Sequence, residues 1–504
     1  MGDYRALLTY IPPKLIISIK ISPYGSSRRK QMIGRKEEID YLNHLLDSKR
    51  PEFLAVYGRR RVGKTYLIKE FFNNSFSFYT TGVQKGNTKQ QLRIFREALV
   101  KYGDQTKTIP KDWFEAFTRL ENVLSGDVVN RDYRSGRRII FLDELPWMDT
   151  ARSDFKSALE YFWNSWGSSQ KDLILIVCGS ATSWMINNIA KDTGGFYNRL
   201  TGQIHLMPFA LGECEQLFAA NNLSMTRKQM IDSYMIMGGI PYYLNYLKPG
   251  LSLVQNIEAL FFHENSPLRY EYDQLFSSLF KNADNYKAII KELSTRKSGL
   301  TRTELDESKH TVSGKDLTRC LEDLEQCGFI RKYRNFTTHT KGCLFQLIDP
   351  LCLFSLTILE PGKISSWMDF IETPAYYSWC GLAFETVCLQ HIPQIKKALG
   401  ISGISCQIYS WRSKKADPGA QIDLLIDRKD DVINLCEAKY SNNEYELEKD
   451  EYTKLQNRIA AFQNETKTKK SIHITMITSN GIRANKYSGL VQNAVIGDEL
   501  FELR

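Results

Sequence analysis

The chain has 504 residues, of which 42% are hydrophobic and 25% charged, and it carries a formal net charge of +10. That length accommodates roughly three or four domains with cores of their own, and the mild positive excess suits a polyanionic partner without requiring one. No run nears the roughly 18 apolar residues of a membrane span, and ten cysteines without a C-x-x-C spacing argue against zinc sites and disulfides, which leaves a reducing, cytoplasmic setting.

Residues 1–31 have no sustained period and read as a tail, with Met32 offering an alternative start. Leu15 to Ile21 is a poor leader core, since Ser18 and Lys20 interrupt it. Ile33-Gly34-Arg35 then leads into an amphipathic helix with Ile39, Leu42, Leu45 and Leu46 at helical spacing. Lying just ahead of the first strand, this segment, Ile33 included, is placed to cover an adenine.

The apolar run Phe53 to Tyr57 breaks at Gly58, and a helical pattern resumes after Thr65. Gly58, Gly63, Lys64 and Thr65 fit G-x-x-x-x-G-K-S/T in the strand–loop–helix setting that motif needs, with Arg59, Arg60, Arg61 and Val62 at the variable positions. Glycines let the backbone wrap a polyphosphate, N–H groups and the helix N-terminus face the anion, and Lys64 adds a cation. Thr65 is placed to ligate Mg²⁺. The pattern predicts an ATP site.

Helical patterns follow around 89–102 and 112–125. Arg138 to Leu142 reads as a buried parallel strand ending in Asp143 and Glu144, a Walker B pattern. There Asp143 would hold the Mg²⁺ shell, and Glu144 would orient or deprotonate the attacking water. A second buried strand, Leu173 to Gly179, ends at Ser180. That serine either senses the γ-phosphate or caps the next helix. Arg199 follows the glycine-bearing loop Gly194-Gly195-Phe196-Tyr197-Asn198, the setting of an arginine finger acting on a neighbouring subunit, or of an ordinary surface cation. Residues 209–283 are mostly helical by pattern, interrupted by Gly238-Gly239-Ile240-Pro241, and read as a lid.

These motifs resemble those of prokaryotic P-loop ATPases of the AAA+/STAND-like kind that carry a restriction-endonuclease-like C-terminal domain. The resemblance rests on Ile33-Gly34-Arg35, Gly58 to Thr65, Phe141 to Glu144, Gly179-Ser180, Pro208-Phe209 and Gly238 to Pro241. It implies that Gly239 and Pro241 belong to the lid and face the nucleotide.

Residues 284–350 carry three helical patterns and two short strands, which read as a winged helix. Arg296, Lys297, Arg302, Lys315, Arg319, Arg331, Lys332 and Arg334 are its candidate phosphate contacts, although winged helices also serve as spacers. Residues 351–378 read as a linker. From 379 to 504 the texture changes again. An apolar helix carries Glu385; Gln421 to Asp427 and Val432 to Lys439 flank a polar turn as a hairpin. With that turn centred on Lys429, Asp423 falls opposite Leu435 and diagonal to Glu437, about 7–8 Å away. Asp423, Glu437 and Lys439 then share a face. Two carboxylates so placed can chelate a divalent ion, with Lys439 beside them to stabilise developing charge.

Asp423 and Glu437-Ala438-Lys439, with Glu385 as the preceding helical acid, resemble the PD-(D/E)xK nuclease signature; Ile422 stands where that motif has proline, and Gln456 is a candidate for its later glutamine. The expected architecture is α/β: a P-loop parallel-sheet ATPase core (32–208), helical lid (209–283), winged helix (284–350), linker (351–378) and nuclease-like domain (379–504). The expected activity is ATP hydrolysis controlling a Mg²⁺-dependent nuclease on DNA, in a homo-oligomer without membrane attachment. The alternatives are a nucleotide switch or scaffold that binds nucleic acid without cutting, and a transcription regulator acting through the winged helix.

Overall fold

A computed structural model describes residues 32–191, 196, 198–296, 298–336, 343–360, 364–413 and 420–503. Residues 1–31, Gly194, Gly195, Tyr197 and Lys297, singled out above, lie outside these. Ile33–Arg504 form one compact unit.

The first sheet has five strands, β1 (Glu52–Tyr57), β2 (Phe78–Thr81), β3 (Arg138–Asp143), β4 (Leu173–Gly179) and β5 (Gly202–His205), in the order β2-β3-β4-β1-β5. All neighbours run parallel. Every residue of β1, β3 and β4 is buried, which is why these strands read as unbroken apolar runs. The edge strands β2 and β5 bury only alternate residues over four positions each, too little pattern to stand out. Helices Thr88–Lys101, Trp113–Ser125 and Phe155–Ser165 cover one face through an aromatic cluster in which Trp113 meets Phe95, Phe117 and Phe155.

Helices Leu211–Ala220, Arg227–Met237, Pro241–Leu244, Leu253–Phe261 and Glu271–Leu279 follow. The break at Gly238-Gly239 is a packing requirement. Gly238 has a φ of 61°, and a Cβ on Gly239 would collide with the Phe209 carbonyl, whose own N–H donates to Gly239 O at 2.7 Å.

Next come helix Ala283–Ser294, β6 (Leu300–Thr301), helices Arg302–Glu307 and Gly314–Gln326, then β7 (Ile330–Asn335) and β8 (Cys343–Leu347). β8 pairs antiparallel with both β6 and β7. Residues 351–378, expected as a linker, are largely helical. Asp349 caps Pro350–Phe354 by accepting from Cys352 N at 2.8 Å, and all five residues of that helix are buried. Phe354 packs against Phe261, Phe262, Trp367 and Trp379.

The remaining strands are β9 (Cys406–Arg412), β10 (Gln421–Arg428), β11 (Val432–Lys439), β12 (Tyr445–Glu446), β13 (Ser471–Thr478), β14 (Ile482–Arg483) and β15 (Asn493–Ile496). β12 and β14 form a separate pair, and the others join an eight-stranded sheet ordered β15-β13-β11-β10-β9-β7-β8-β6. The seam is parallel, with Arg334 beside Tyr409 and Asn335 beside Ser410. Sequence reading separates residues 284–350 from 379–504, yet one sheet runs through both. Helices Pro374–Gln390 and Lys449–Thr466 pack around its C-terminal half. No helix among the described residues is long and apolar enough to cross a membrane.

The hairpin register corrects the expectation. Leu424 pairs with Cys436 and Leu425 with Leu435, so the turn centres on Asp430 rather than Lys429. The pairing shifts by two, which preserves every side chain's face and sets Asp423 directly across from Glu437.

Gly239→Ala should destabilise the fold by about 1–3 kcal/mol in denaturant unfolding. Gly403→Ala, exposed and with nothing within 4 Å of the added Cβ, serves as the control and should stay within about 0.5 kcal/mol.

Candidate functional site

The loop between β1 and helix Lys64–Phe71 turns through Gly58 at φ 149° and Gly63 at φ 95°. Lys64 is 5% exposed, and its Nζ donates to Gly58 O and Arg59 O, both at 2.9 Å. Thr65 Oγ1 donates to Asp143 Oδ2 at 2.9 Å, joining the start of helix Lys64–Phe71 to the end of β3. Burial and then the neighbouring Glu144 push the Asp143 carboxyl up, against opposing hydrogen bonds that include Thr65.

Glu144 sits just past β3 in the left-handed region, at φ 47°. Its Oε1 accepts from Ser180 Oγ at 2.6 Å and its Oε2 from Ser180 N at 3.1 Å. Ser180 therefore holds Glu144 in place. It does not cap the following helix, whose N-cap is Ala181 without a side-chain bond.

The arginines of the loop face away from its axis. Arg59 is buried in an ion pair with Asp349, its guanidinium 4.5 Å from the Phe329 ring centre. Arg61 pairs with Glu271 and lies 4.3 Å over Tyr242. Arg60 is half-buried and Val62 is buried. Pro241 opens the short helix that supplies Tyr242, so the Gly-Gly-x-Pro segment lies beside the loop, packed on Phe209. Ile33 is half-buried next to Gly34, whose N–H donates to Gln216 at 3.1 Å. Arg199 is exposed, and Thr201, two residues on, donates its N–H to Phe53 O at 2.9 Å. That bond sets Arg199 near the start of β1, at the opposite end of the strand from Gly58, and away from its own chain's phosphate loop.

Two residues of this site, Asp349 and Glu271, escaped sequence reading, and Arg35, named there only within the Ile33-Gly34-Arg35 motif, gains a role. Arg35 donates to Val62 O at 3.0 Å and lies 4.4 Å over Phe209, bracing the loop from behind. Asp349 and Glu271 neutralise the loop arginines from far along the chain. Their only signal in the sequence is the run of three arginines, which needs partners once buried.

In the second sheet, Glu385, Asp423, Glu437 and Lys439 line one cavity of about 160 Å³ with Cys388 and Tyr440. The four residues read from the sequence thus converge. Lys439 Nζ lies 2.9 Å from Glu437 Oε1 and 2.8 Å from Glu451 Oε1, while Arg458 Nη1 donates to Glu437 Oε2 at 2.8 Å. Burial alone would raise the Glu437 carboxyl, but Lys439 and Arg458 outweigh it and hold the carboxyl below its usual range. Burial likewise opposes the Lys439 ammonium, and Glu437 and Glu451 more than restore it. Gln421 donates its side-chain amide to Asp423. Among the described residues no three His, Cys, Asp or Glu side chains are grouped closely enough to form a metal-holding cluster.

Glu451 and Arg458 were also missed, although their seven-residue spacing on helix Lys449–Thr466 puts them on one face. Gln456 is exposed and bonds Tyr452, outside the cavity. Arg331, a candidate phosphate contact, instead donates to Gln346 at 2.7 Å and to the Asp423 carbonyl at 3.0 Å. Arg302 is tied to Thr318 and Gly314 at 3.2 and 2.9 Å. Arg296, Lys315, Arg319, Lys332 and Arg334 are exposed.

Parallel sheet order, phosphate loop and the Thr65–Asp143 contact define a P-loop nucleotide-binding domain. Residues 32–247 match the family model described as an ATPase domain predominantly from Archaea. The chain is 25% identical over 401 residues to the uncharacterized protein MJECL04 of Methanocaldococcus jannaschii, covering 78% of this chain and 83% of that one. It is 45% identical over 42 residues to the uncharacterized ATP-binding protein MJ0423 of the same organism, 8% of this chain and 71% of that one. Among solved structures, the Walker-type ATPase PABY2304 of Pyrococcus abyssi is similar at TM-score 0.46 and 18% identity, over 67% of this chain and 99% of that one. The ORC2 protein of Aeropyrum pernix is similar at TM-score 0.41 and 14% identity, over 73% and 99%.

Asp349→Ala should leave Arg59 buried without its counter-charge and cost about 3–5 kcal/mol in denaturant unfolding. Adding Arg59→Met to that variant should recover much of the loss. An unchanged midpoint in the single variant would show the pair to be solvated.

Proposed function

We propose that the chain hydrolyses ATP at the Gly58–Thr65 loop and uses the nucleotide cycle to control a metal-dependent phosphodiesterase, acting on DNA, at Glu385, Asp423, Glu437 and Lys439. The observation that carries the second half is the convergence of those four side chains in one cavity. At the first site Thr65 and Asp143 would hold Mg²⁺, since a hydroxyl and a buried carboxylate already in contact form a hard oxygen pair. Glu144, fixed by Ser180, is the group to orient the attacking water. Lys64 and the loop N–H groups bind the phosphates.

At the second site the donors would again be hard oxygen, from Asp423 and Glu437 on adjacent strands, a sparse pair suited to a Mg²⁺ or Mn²⁺ that keeps several waters. Glu385 from the facing helix lines the same cavity without closing a three-carboxylate cluster. A bound divalent ion would supply an activated water and polarise the phosphoryl oxygen. Lys439 would neutralise charge that develops on the phosphorus oxygens, and Asp423 and Glu437 would hold the ion beside the scissile group. The topology of residues 283–347, helix–strand–helix–helix–strand–strand, supports a winged helix whose exposed Lys315, Arg319, Lys332 and Arg334 meet the DNA backbone. Arg199, at the far end of β1, would serve as a finger only toward a neighbouring copy in a homo-oligomer.

One observation favours the reading of a nucleotide switch that binds DNA without cutting. Both oxygens of Glu437 are already engaged by cationic side chains.

A cleavage assay on supercoiled and linear DNA with Mg²⁺ or Mn²⁺, with and without ATP, separates the two. Glu437→Ala and Lys439→Ala should abolish cutting and leave ATP turnover intact, while Lys64→Ala should lose ATP binding. Wild-type protein that binds DNA and never cuts it in any nucleotide state establishes the switch. Glu144→Gln should retain ATP and lower its turnover by about 10²-fold or more. Mixing Glu144→Gln with Arg199→Ala subunits should restore part of the turnover if Arg199 acts in trans, and none if it does not.

A further inference from the structure

Glu437 and Lys439, which line the cavity in the second sheet, belong to a longer charge chain whose two outer members, Arg458 and Glu451, the nuclease signature does not contain. Arg458, Glu437, Lys439 and Glu451 alternate in sign at successive contacts of 2.8, 2.9 and 2.8 Å. Lys439 is sandwiched between two carboxylates and has no reason to move. Arg458 touches only one member of the chain, and its side chain is 25% exposed, so it has a path to solvent. Its helix cannot follow, because Leu455 and Phe462 on the same face are fully buried, Leu455 with Leu447 and Met476, and Phe462 against Trp411. Any displacement of Arg458 is therefore a swing of the side chain about a fixed backbone.

A guanidinium and a divalent cation compete for the same carboxylate lone pairs. With Arg458 seated, Glu437 Oε2 is taken and the chain of four sums to zero charge. With Arg458 withdrawn, Glu437 exposes an oxygen toward a cavity that also contains Asp423 and Glu385, and the local charge turns negative. A phosphodiester offers Arg458 a better partner, because planar guanidinium recognises two phosphoryl oxygens at once.

We propose that Arg458 is a substrate-operated gate on this site: its guanidinium occupies Glu437 Oε2 and excludes a divalent cation until a phosphodiester draws it away. Glu451 is the positioning residue that keeps Lys439 in place during the exchange. This rests on reading the cavity as a metal-dependent phosphodiester site. By linkage, DNA tightens metal binding and metal tightens DNA binding by the same factor. The gate confines metal loading to complexes that already hold nucleic acid.

The test is Mn²⁺ binding to the full chain without nucleotide, in a Lys64→Ala parent, read by electron paramagnetic resonance of free Mn²⁺ and by calorimetry. Arg458→Ala, with Arg458→Gln as the milder variant should alanine impair folding, is expected to bind Mn²⁺ about tenfold more tightly than the parent. Asp423→Ala is expected to remove that binding. Adding a short DNA duplex should tighten Mn²⁺ binding to the parent and leave the Arg458 variants unchanged. Equal or weaker Mn²⁺ affinity in the Arg458 variants, with binding still abolished by Asp423→Ala, would overturn the gate and leave the metal site standing. Mn²⁺ binding absent throughout, or indifferent to Asp423→Ala, would overturn the site and the gate together.

Discussion

The buried ion pair between Arg59 and Asp349 is the constraint that ties the two halves of this chain together. Both side chains are 3% exposed, so each left water at a cost that only the other's charge offsets. Such a pair adds little net stability compared with apolar residues of the same volume; what it confers is a single permitted arrangement. Here the arrangement joins a residue inside the phosphate loop to the N-cap of helix Pro350–Phe354, which directly follows β8 of the second sheet. Phe329, between helix Gly314–Gln326 and β7, closes over the same guanidinium. The loop that grips polyphosphate is thereby built partly from the C-terminal half.

From that pair, contacts lead to the acidic cavity along the packed chain. Ile348, next to Asp349, accepts from the Gln390 side chain at the end of helix Pro374–Gln390, and that helix carries Glu385. β7 supplies Arg331 to the backbone of Asp423. A third connection starts from helix Arg227–Met237. Lys228 and Asp232 bond the Tyr440 hydroxyl, each at 2.7 Å, immediately after Lys439. Close-packed interiors transmit displacement rather than absorb it. A shift of Arg59 or of the Tyr242 segment on nucleotide binding would therefore have a mechanical path to the walls of the cavity, which is the route the proposed control by ATP would take.

What the sequence disclosed, and what it withheld, follows from the range of the interactions involved. β1, β3 and β4 are buried on both faces and announce themselves as apolar runs, and the phosphate loop is a local pattern dictated by backbone geometry. Asp423, Glu437 and Lys439 were legible because strand alternation fixes faces by parity, which survived a turn placed one residue early, whereas Glu385, on a helix, was reached only through the family resemblance. The seam between β7 and β9 was not legible, since two residues of parallel pairing leave no trace in composition. Residues 351–378 read as a linker between two recognisable textures, while the burial of Leu351 and Phe354 depends on helices from elsewhere. Asp349, Glu271, Glu451 and Arg458 are ordinary charged residues until the fold supplies their partners.

The two carboxylates at the centre of the two sites are prepared in opposite senses. Asp143 has its carboxyl pushed up by burial and by Glu144, so the folded chain holds a proton there more tightly than the unfolded chain does. Keeping Asp143 ionised at neutral pH costs stability, and a cation arriving beside it relieves that cost. Glu437 has its carboxyl held down by Lys439 and Arg458, so its ionised form contributes stability above the unfolded value, lost as pH falls through the lower folded one. It already owns its counter-ions. The first site is thus electrostatically unsatisfied and poised for a metal-bound polyphosphate, whereas the second is satisfied by its own side chains. On the reading proposed above, a divalent ion would enter the first because it supplies missing charge, and would enter the second only after charge there had been rearranged, so that a partner anion rather than the metal alone would act on the C-terminal half.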